Sequence, residues 1–397
     1  MWDILRWMRT VMRMGLQVAV CVGVCLALQR GSPVQAAAQT TGTGVQTQPV
    51  SQMVTTLIPL TVDGAAARLP VLATHLLNQG HADVTRAIIV IHGALRNAEG
   101  SFSAMQHAMT LAGEAGRHAL VLAPQFLSEV DAVRYPVPLD VPVWSVDGWK
   151  DGSLSEIRRD DSTDQRVSSF AVLDALLETL SDRKLWPALD LVVLAGHSAG
   201  AQFVQRYAAA GHAPTVLSHQ GIHTRFFVAN PSSYLYFDER RPTEHGFVTF
   251  PVRRCPGFDH YKYGLEAPNP YVASQTPQAL MSHYARQQVI YLLGSLDADA
   301  AHPFLDHSCA AEAQGPTRLA RGQAYYRYLP LVLGREVMRR HHQVLVEGVG
   351  HDHQSMFQSP CGVAWLFANG QCPQPSATSL VLFPKADASI SIPSHGR

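Results

Sequence analysis

Short, largely apolar runs recur along the chain, and most of them are followed by a segment with helical periodicity. Five such runs lie at Ala87–Ile91, His118–Ala123, Leu191–Ala195, Gln288–Leu293 and His342–Glu347. Because these runs lack an alternating polar face, they are typical of strands buried on both faces of a parallel sheet. Val216–Val228 predicts one more strand, and Thr55–Val62 with Leu69–Leu77 predicts an early strand pair.

The segments between the strands predict helices. Phe170, Leu173, Leu177 and Leu180 are spaced as the apolar face of one helix. Further helices are predicted over residues 102–115, 201–210, 317–340 and 353–368. Strands that alternate with helices in this way predict an α/β fold, with a mostly parallel sheet covered by helices on both faces.

Two segments interrupt this alternation. Residues 125–160 lack periodicity and contain Trp144 and Trp149. Such a segment is either a long loop with a functional role or a loop that the two tryptophans hold in place for structural reasons. Residues 231–286 are rich in Pro, Tyr, Arg and Phe, and we interpret them as an irregular cap or insertion over the site.

The N-terminal residues have the layout of a secretory signal. Arg6, Arg9 and Arg13 precede an apolar stretch over residues 14–28, and small residues around 36–38 offer a cleavage site. The stretch is shorter than the ~20 residues of a spanning helix, which favours cleavage over a retained anchor. We expect a secreted or periplasmic protein without a stable membrane anchor. Its predicted parts are a signal peptide (1–38), a mobile leader (39–54), one folded domain (55–373) and a C-terminal tail (374–397).

The composition is that of a folded protein, with 47% hydrophobic and 16% charged residues. Residues 1–38 hold four arginines and one aspartate, so their removal changes the balance from 31 basic and 31 acidic residues to 27 and 30. Such a slight acidic excess gives no general attraction to polyanions, and we expect no nucleic-acid partner.

Four cysteines lie beyond the predicted signal: Cys255, Cys309, Cys361 and Cys372. An even number in an oxidising compartment predicts two disulfides, and four cysteines allow three pairings. The short spacing favours Cys361–Cys372, which leaves Cys255 with Cys309. Zinc ligation is the alternative, but no C-x-x-C spacing supports it.

The stretch Gly196-His-Ser-Ala-Gly200 follows one predicted strand and precedes a predicted helix. It matches G-x-S-x-G, a sharp strand-to-helix turn in which a strained backbone exposes a serine hydroxyl. The turn requires small residues two positions to either side, and the two glycines meet that need. The pattern predicts Ser198 as a nucleophile.

A nucleophilic serine needs a base to accept its proton and a third group to orient that base. Such groups collect at the C-terminal ends of parallel strands. Asp297 follows the strand Gln288–Leu293, and His351 follows the last strand on a glycine-rich turn. We therefore predict His351 as the general base and Asp297 as the acid, with Asp299 as the main alternative acid.

Metal binding is the competing interpretation of these groups. Asp297, Asp299 and Asp306 are dense enough for a calcium loop, but they lack its regular ligand positions and glycine. His351 and His353 resemble a pair of metal ligands, but the sequence implies no third ligand. We expect no metal and no cofactor.

Two backbone N–H groups are needed to stabilise an oxyanion. Ala199, directly after the nucleophile, supplies one. The turn His92-Gly-Ala94 follows the strand Ala87–Ile91 and resembles the His-Gly turn of lipases and esterases, in which the residue after the glycine supplies the second. This makes Ala94 the second donor. The candidates for lining the substrate pocket are His92, His197, Trp144, Trp149 and Tyr234.

Together, Ile91–Ala94, Gly196–Gly200, Gly294–Asp297 and Gly350–His351 resemble the α/β-hydrolase superfamily, over about residues 55–370. Two further stretches, Asn230–Tyr234 and Gln314–Gly322, resemble features of a narrower, secreted esterase- or lipase-like branch. The resemblance implies an eight-stranded sheet, a covalent acyl-serine intermediate and no cofactor.

The leading functional hypothesis is a secreted serine hydrolase that cleaves small-molecule or polymeric carboxylic esters. Lipase, polyester depolymerase and, less strongly, peptidase activity are the alternatives among enzymes, and the sequence shows no clear lipid- or polymer-binding module. A catalytically silent binding protein of the same fold is the alternative from another class. Such proteins usually lack a member of the triad, whereas this sequence has a candidate for all three.

Overall fold

A computed structural model of the chain describes residues 48–158 and 165–372. The predicted signal peptide, residues 39–47 of the predicted leader and the predicted C-terminal tail lie outside these ranges. The strands are β1 Leu57–Val62, β2 Ala65–Ala73, β3 Arg86–Ile91, β4 Ala119–Pro124, β5 Leu127–Ser128, β6 Val143–Trp144, β7 Leu191–His197, β8 His223–Ala229, β9 Arg240–Thr243, β10 Gly246–Thr249, β11 Gln288–Gly294 and β12 His341–Val346. The helices are α1 Ala98–Leu111, α2 Glu114–Arg117, α3 Glu129–Arg134, α4 Ser169–Glu178, α5 Ala199–Ala210, α6 Ala213–His219, α7 Pro270–Ala273, α8 Pro277–Arg286, α9 Cys309–Glu312, α10 Arg318–Val332, α11 His353–Gln358 and α12 Pro360–Phe367.

Eight of the strands form one central sheet in the order β1-β2-β4-β3-β7-β8-β11-β12. The six strands from β4 to β12 in this order run parallel, whereas β2 is antiparallel to both β1 and β4. The predicted mostly parallel, eight-stranded sheet is therefore confirmed. The parallel arrangement brings the C-terminal ends of β3, β7, β8, β11 and β12 to one edge.

The sheet is buried on both faces because alternate residues of its strands point to opposite sides. Ile89 and Ile91 of β3 belong to a large apolar core on one face, which also holds α4 and α5. Ile88 and Val90 belong to a second core on the other face, together with residues of α1, α11 and α12. This two-sided burial explains why the strands read as unbroken apolar runs in the sequence.

The strand predicted over Val216–Val228 is shorter in the structure, because residues 213–219 form α6 and β8 begins only at His223. Pro214 lies in the first turn of α6, where its missing N–H and fixed φ are accommodated. The predicted loop over 125–160 contains β5, α3, β6 and a 3₁₀ turn over Gly148–Asp151. Both of its tryptophans are fully buried.

The insertion over residues 231–286 contains the β9–β10 hairpin, α7 and α8. It packs against the flank of the domain. Tyr234 stacks on Tyr325 of α10 at 4.4 Å between ring centroids, and the Phe237 N–H donates to the Tyr328 hydroxyl at 2.9 Å. On the other side, α8 lies against α5.

Disulfides join Cys255 to Cys309 and Cys361 to Cys372, the pairing that the spacing favoured. The first ties the insertion to the start of α9, and the second joins α12 to the residues that follow it. Among the described residues, none of the helices combines the length and apolar character needed to cross a bilayer.

Candidate active site

Ser198 lies at the sharp turn between β7 and α5, with φ 57° and ψ −120°. Its N–H donates to Ala229 O at 2.9 Å, which holds the turn against the end of β8. A Cβ on Gly200 would lie 2.2 Å from Ile91 O, and one on Gly196 would lie 2.3 Å from the Gly200 carbonyl carbon. The two glycines are therefore required because backbone passes directly against backbone.

A hydrogen-bonded chain links Ser198, His351 and Asp297. Ser198 Oγ lies 3.0 Å from His351 Nε2, and His351 Nδ1 lies 2.8 Å from Asp297 Oδ2. With Nδ1 protonated and donating to the carboxylate, Nε2 is the acceptor for the serine hydroxyl. Asp299, the alternative acid, is exposed, and its carboxylate accepts the N–H of Ala301 at 2.8 Å. The arrangement is the one that a nucleophile, base and orienting acid require.

The two predicted oxyanion donors lie beside Ser198. Ala199 is the first residue of α5, and Ala94 lines the same cavity as Ser198. Neither backbone N–H donates to another residue in the described part of the chain. Both are thus free to donate to an oxygen held in front of Ser198.

Buried polar contacts fix the loop that carries Ala94. His92 Nε2 accepts the Phe126 N–H at 3.0 Å, and its Nδ1 donates to Gly93 O at 3.0 Å. Burial lowers the pKa of His92 to about 4, so the ring is neutral and keeps this tautomer. Two residues after Ala94, the guanidinium of Arg96 pairs with the carboxylate of Asp131 at 2.7 Å, and both side chains are fully buried.

Asn230 connects three of the loops that carry the site. It directly follows β8 and has a left-handed backbone, with φ 48°. Its Oδ1 accepts the Gly294 N–H at 2.9 Å, and its Nδ2 donates to Gly350 O at 3.3 Å. The side chain therefore sets the loop of Asp297 relative to the loop of His351.

Three further histidines surround His351. The ring of His197 lies 4.5 Å from that of His351, and the ring of His302 lies 5.0 Å away. His353 lies behind His197 at 6.2 Å. Burial first, and then the neighbouring charges of His351, His353 and Arg318, keep the pKa of His197 well below its ordinary value. No group of three or more His, Cys, Asp or Glu side chains within the described ranges has a geometry that could hold a metal ion.

A cavity of about 190 Å³ opens beside Ser198. Its apolar lining comes from Ile91, Leu95, Phe304 and Phe357. Its polar lining comes from Asn97, Ser101, His197, Ser198, His351 and His353. The cavity is therefore a small space with both apolar and polar walls, and Ser198 is one of the residues that line it.

Of the five residues predicted to line the pocket, His197 alone borders this cavity. The prediction was wrong for His92, Trp144, Trp149 and Tyr234, which are fully buried in the core. Large aromatic side chains stabilise a fold most when their whole apolar area is packed between elements, and these rings pack on one another and on Phe126 and Tyr325. No residue of 231–286 borders the cavity either, so the insertion does not cap it.

Sequence reasoning missed the residues that hold the site in place. Asn230 is an asparagine directly after a strand, next to a proline, which is a signal for a left-handed turn. Asn230 and Arg318 lie in the stretches Asn230–Tyr234 and Gln314–Gly322, which resemble a narrower secreted esterase- or lipase-like branch. The sequence by itself assigns no role to either residue. The structure brings these stretches together, because Tyr234 N–H donates to Gln314 Oε1 at 2.8 Å and Gln314 Nε2 donates to Tyr234 O at 2.9 Å.

No protein-family model matches the chain, and no curated protein matches its sequence. Among solved structures it is similar to LpqC, a poly(3-hydroxybutyrate) depolymerase from Bordetella parapertussis, with a TM-score of 0.50, 23% identity, and coverage of 80% of this chain and 91% of that chain. It is also similar to poly(aspartic acid) hydrolase-1 from Sphingomonas sp. KT-1, with a TM-score of 0.50, 22% identity, and coverage of 78% and 97%. The sheet order and these similarities show that the chain has the α/β-hydrolase fold.

Proposed function

We propose that this protein is a secreted serine hydrolase that cleaves carboxylic esters through an acyl-enzyme intermediate on Ser198. The observation that carries the proposal is the chain of contacts from Ser198 Oγ to His351 Nε2 at 3.0 Å and from His351 Nδ1 to Asp297 Oδ2 at 2.8 Å, beside an open cavity. Each group has the partner that its role requires.

In the first half of the reaction, Ser198 Oγ attacks the ester carbonyl carbon while His351 Nε2 takes the hydroxyl proton. Negative charge develops on the carbonyl oxygen, where the N–H groups of Ala94 and Ala199 are free to donate. The intermediate then breaks its bond to the alcohol oxygen. His351 returns the proton to that oxygen, and the acyl group remains on Ser198.

In the second half, a water molecule replaces the alcohol. His351 takes a proton from the water as it attacks the acyl carbon, and the same two N–H groups donate to the second oxyanion. Collapse of this intermediate breaks the bond to Ser198 Oγ, which recovers its proton from His351. The carboxylic acid leaves, and no other reactant is needed.

The small size of the cavity favours a substrate with a short acyl group. Its volume of about 190 Å³ is below the ~300–1,000 Å³ typical of sites for drug-sized ligands. Phe304 and Phe357 give it an apolar wall suited to a few methylene groups. A polyester of short hydroxy acids is the second candidate substrate, because each repeat unit would present the same small acyl group and the similar protein from Bordetella parapertussis is named as such a depolymerase.

Secretion forms part of the proposal. The disulfides Cys255–Cys309 and Cys361–Cys372 fit an oxidising compartment, and the N-terminal sequence has the layout of a signal peptide. Expression of the full chain in a bacterial host, followed by N-terminal sequencing of the exported protein, tests this part. We expect a new N-terminus near residues 36–39, and an uncleaved protein retained in the cytoplasm would contradict it.

The activity is tested with purified protein lacking residues 1–38 and p-nitrophenyl esters of increasing acyl length. We expect turnover that is highest for short acyl groups, declines with chain length and is abolished in Ser198→Ala. A suspension of poly(3-hydroxybutyrate) in the same assay tests the second candidate. Failure to hydrolyse any of these esters, in protein shown to be folded, would refute the proposal.

A further inference from the structure

Arg318 is a buried cation in contact with the proposed triad acid. It is the first residue of α10, and only 1% of its surface is exposed. Its Nη1 lies 3.4 Å from Asp297 Oδ1, whereas His351 contacts the other carboxylate oxygen, Oδ2. The carboxylate is therefore held between a permanent cation on one side and the proposed base on the other.

Further contacts fix Arg318 in this position. Its Nε donates to Ser232 Oγ at 3.0 Å, and its Nη2 lies 3.4 Å from His302 Nδ1. The next backbone N–H, that of Leu319, donates to Asp297 O at 3.1 Å. The first turn of α10 thus contacts Asp297 through both a side chain and the backbone.

We propose that Arg318 is a positioning residue that holds the Asp297 carboxylate in register with His351 and adds a fixed positive charge to the triad. This inference rests on the proposed hydrolase function and assigns a role to the Gln314–Gly322 stretch, which that function does not itself use. A buried carboxylate beside both a cation and an imidazole has one favoured orientation, because rotating it would break two charge-assisted contacts.

The fixed charge also acts on the base. The groups that face His351 are Asp297 from the loop after β11, Arg318 from α10, His302 from the loop before α9, His197 from β7 and Asp352 in its own loop. Burial is the main cause that lowers the pKa of His351, the charge of Arg318 lowers it further, and Asp297 opposes both. Removal of the Arg318 charge should therefore make the imidazolium easier to form.

The test compares Arg318→Gln, Arg318→Lys and the control Arg321→Gln in the full mature protein. Arg321 is also buried and one turn further along α10, but it donates to Gly315 O, Ser232 O and Asp306 O instead of to the triad. For each variant, kcat and KM are measured for a p-nitrophenyl ester from pH 4 to 9, and folding is checked by thermal unfolding.

We expect Arg318→Gln to lower kcat by about 10- to 100-fold with little change in KM, because the carboxylate loses its orientation. The acidic limb of its kcat/KM profile should move up by about one pH unit. Arg318→Lys should keep the acidic limb near that of the wild type but lower kcat, because an ammonium retains the charge and not the fork of donors. Arg321→Gln should leave the position of the limb unchanged.

An unchanged limb and kcat in folded Arg318→Gln would overturn the inference, as would a shift of equal size in Arg321→Gln. If Arg318→Gln does not fold, Arg318→Lys decides, since wild-type kcat in that variant would refute the positioning role. The proposed function fails separately, through a wild-type protein that hydrolyses no ester.

Discussion

The Asn230 side-chain oxygen accepts the backbone N–H of Gly294 at 2.9 Å, while the amide nitrogen of the same side chain donates to Gly350 O. Gly294 ends β11, three residues before Asp297, and Gly350 immediately precedes His351. One side chain directly after a third strand, β8, thus sets the spacing between the loops of the proposed acid and the proposed base.

Replacement of Asn230 by glycine should lower both activity and stability. Glycine accepts the left-handed backbone at this position, so the change removes mainly the two side-chain hydrogen bonds. We expect kcat to fall about 10- to 100-fold and the free energy of unfolding to fall by about 2 kcal/mol. The control is Asp63→Gly, another left-handed residue with φ 50°, in the β1–β2 turn. A kcat loss in the control as large as in Asn230→Gly would show that the two Asn230 hydrogen bonds have no specific role in activity.

The choice of acid is tested by a matched pair of substitutions. Asp297→Asn should lower kcat by about 10⁴-fold, because the amide disfavours the tautomer in which His351 Nε2 accepts the serine proton. Asp299→Asn should leave kcat within about twofold, since its carboxylate only caps the turn at Ala301. Steady-state kinetics on both proteins provide the measurement. The reverse order of effects would show that Asp299 is the acid.

Activity of the wild-type protein should extend below pH 6.5. His351 accepts a proton only when neutral, so kcat/KM is retained above its pKa and lost as the pH falls through it. Burial, assisted by the charge of Arg318, lowers that pKa from its ordinary value of 6.5. A kcat/KM profile over pH 4–8 checks this. A midpoint of the acidic limb at or above 6.5 would contradict it.

Gly200, in the turn that carries Ser198, and Gly93, in the turn after β3, differ in whether they tolerate a side chain. A Cβ at Gly200 would collide with Ile91 O at 2.2 Å and His92 O at 2.6 Å, both backbone atoms, so Gly200→Ala should cost about 1–3 kcal/mol of unfolding free energy and displace Ser198. At Gly93 the nearest atom to a new Cβ is His197 O at 4.0 Å, and Gly93→Ala should be nearly neutral for stability. Urea unfolding measures the loss of unfolding free energy in each of the two variants. Equal destabilisation would show that close backbone approach is not what requires Gly200.

The features that were predictable from sequence are those with a local pattern. Two-sided burial makes the strands unbroken apolar runs, and Gly196–Gly200 has a steric requirement that only small residues meet. Because parallel strands end at one edge, the positions of Asp297 and His351 after their strands also placed them near Ser198.

The features that were not predictable depend on contacts between distant segments. The apolar character of Trp144, Trp149 and Tyr234 suits a pocket wall and a core equally, and only the packing of the surrounding elements decides between them. Arg318 reads as an ordinary residue at a helix start, since its contact with Asp297 arises from tertiary folding. The insertion over 231–286 has no local signal for the face of the domain on which it lies.

Intact-mass measurement after reaction with a fluorophosphonate tests whether Ser198 is an activated nucleophile. We expect one adduct per folded molecule, mapped to the peptide containing Ser198, with none on Ser198→Ala and none on urea-unfolded protein. His351→Ala should react far more slowly, because the hydroxyl then has no base. A folded wild-type protein that forms no adduct, or forms it at a residue other than Ser198, would contradict the role of Ser198 as the nucleophile.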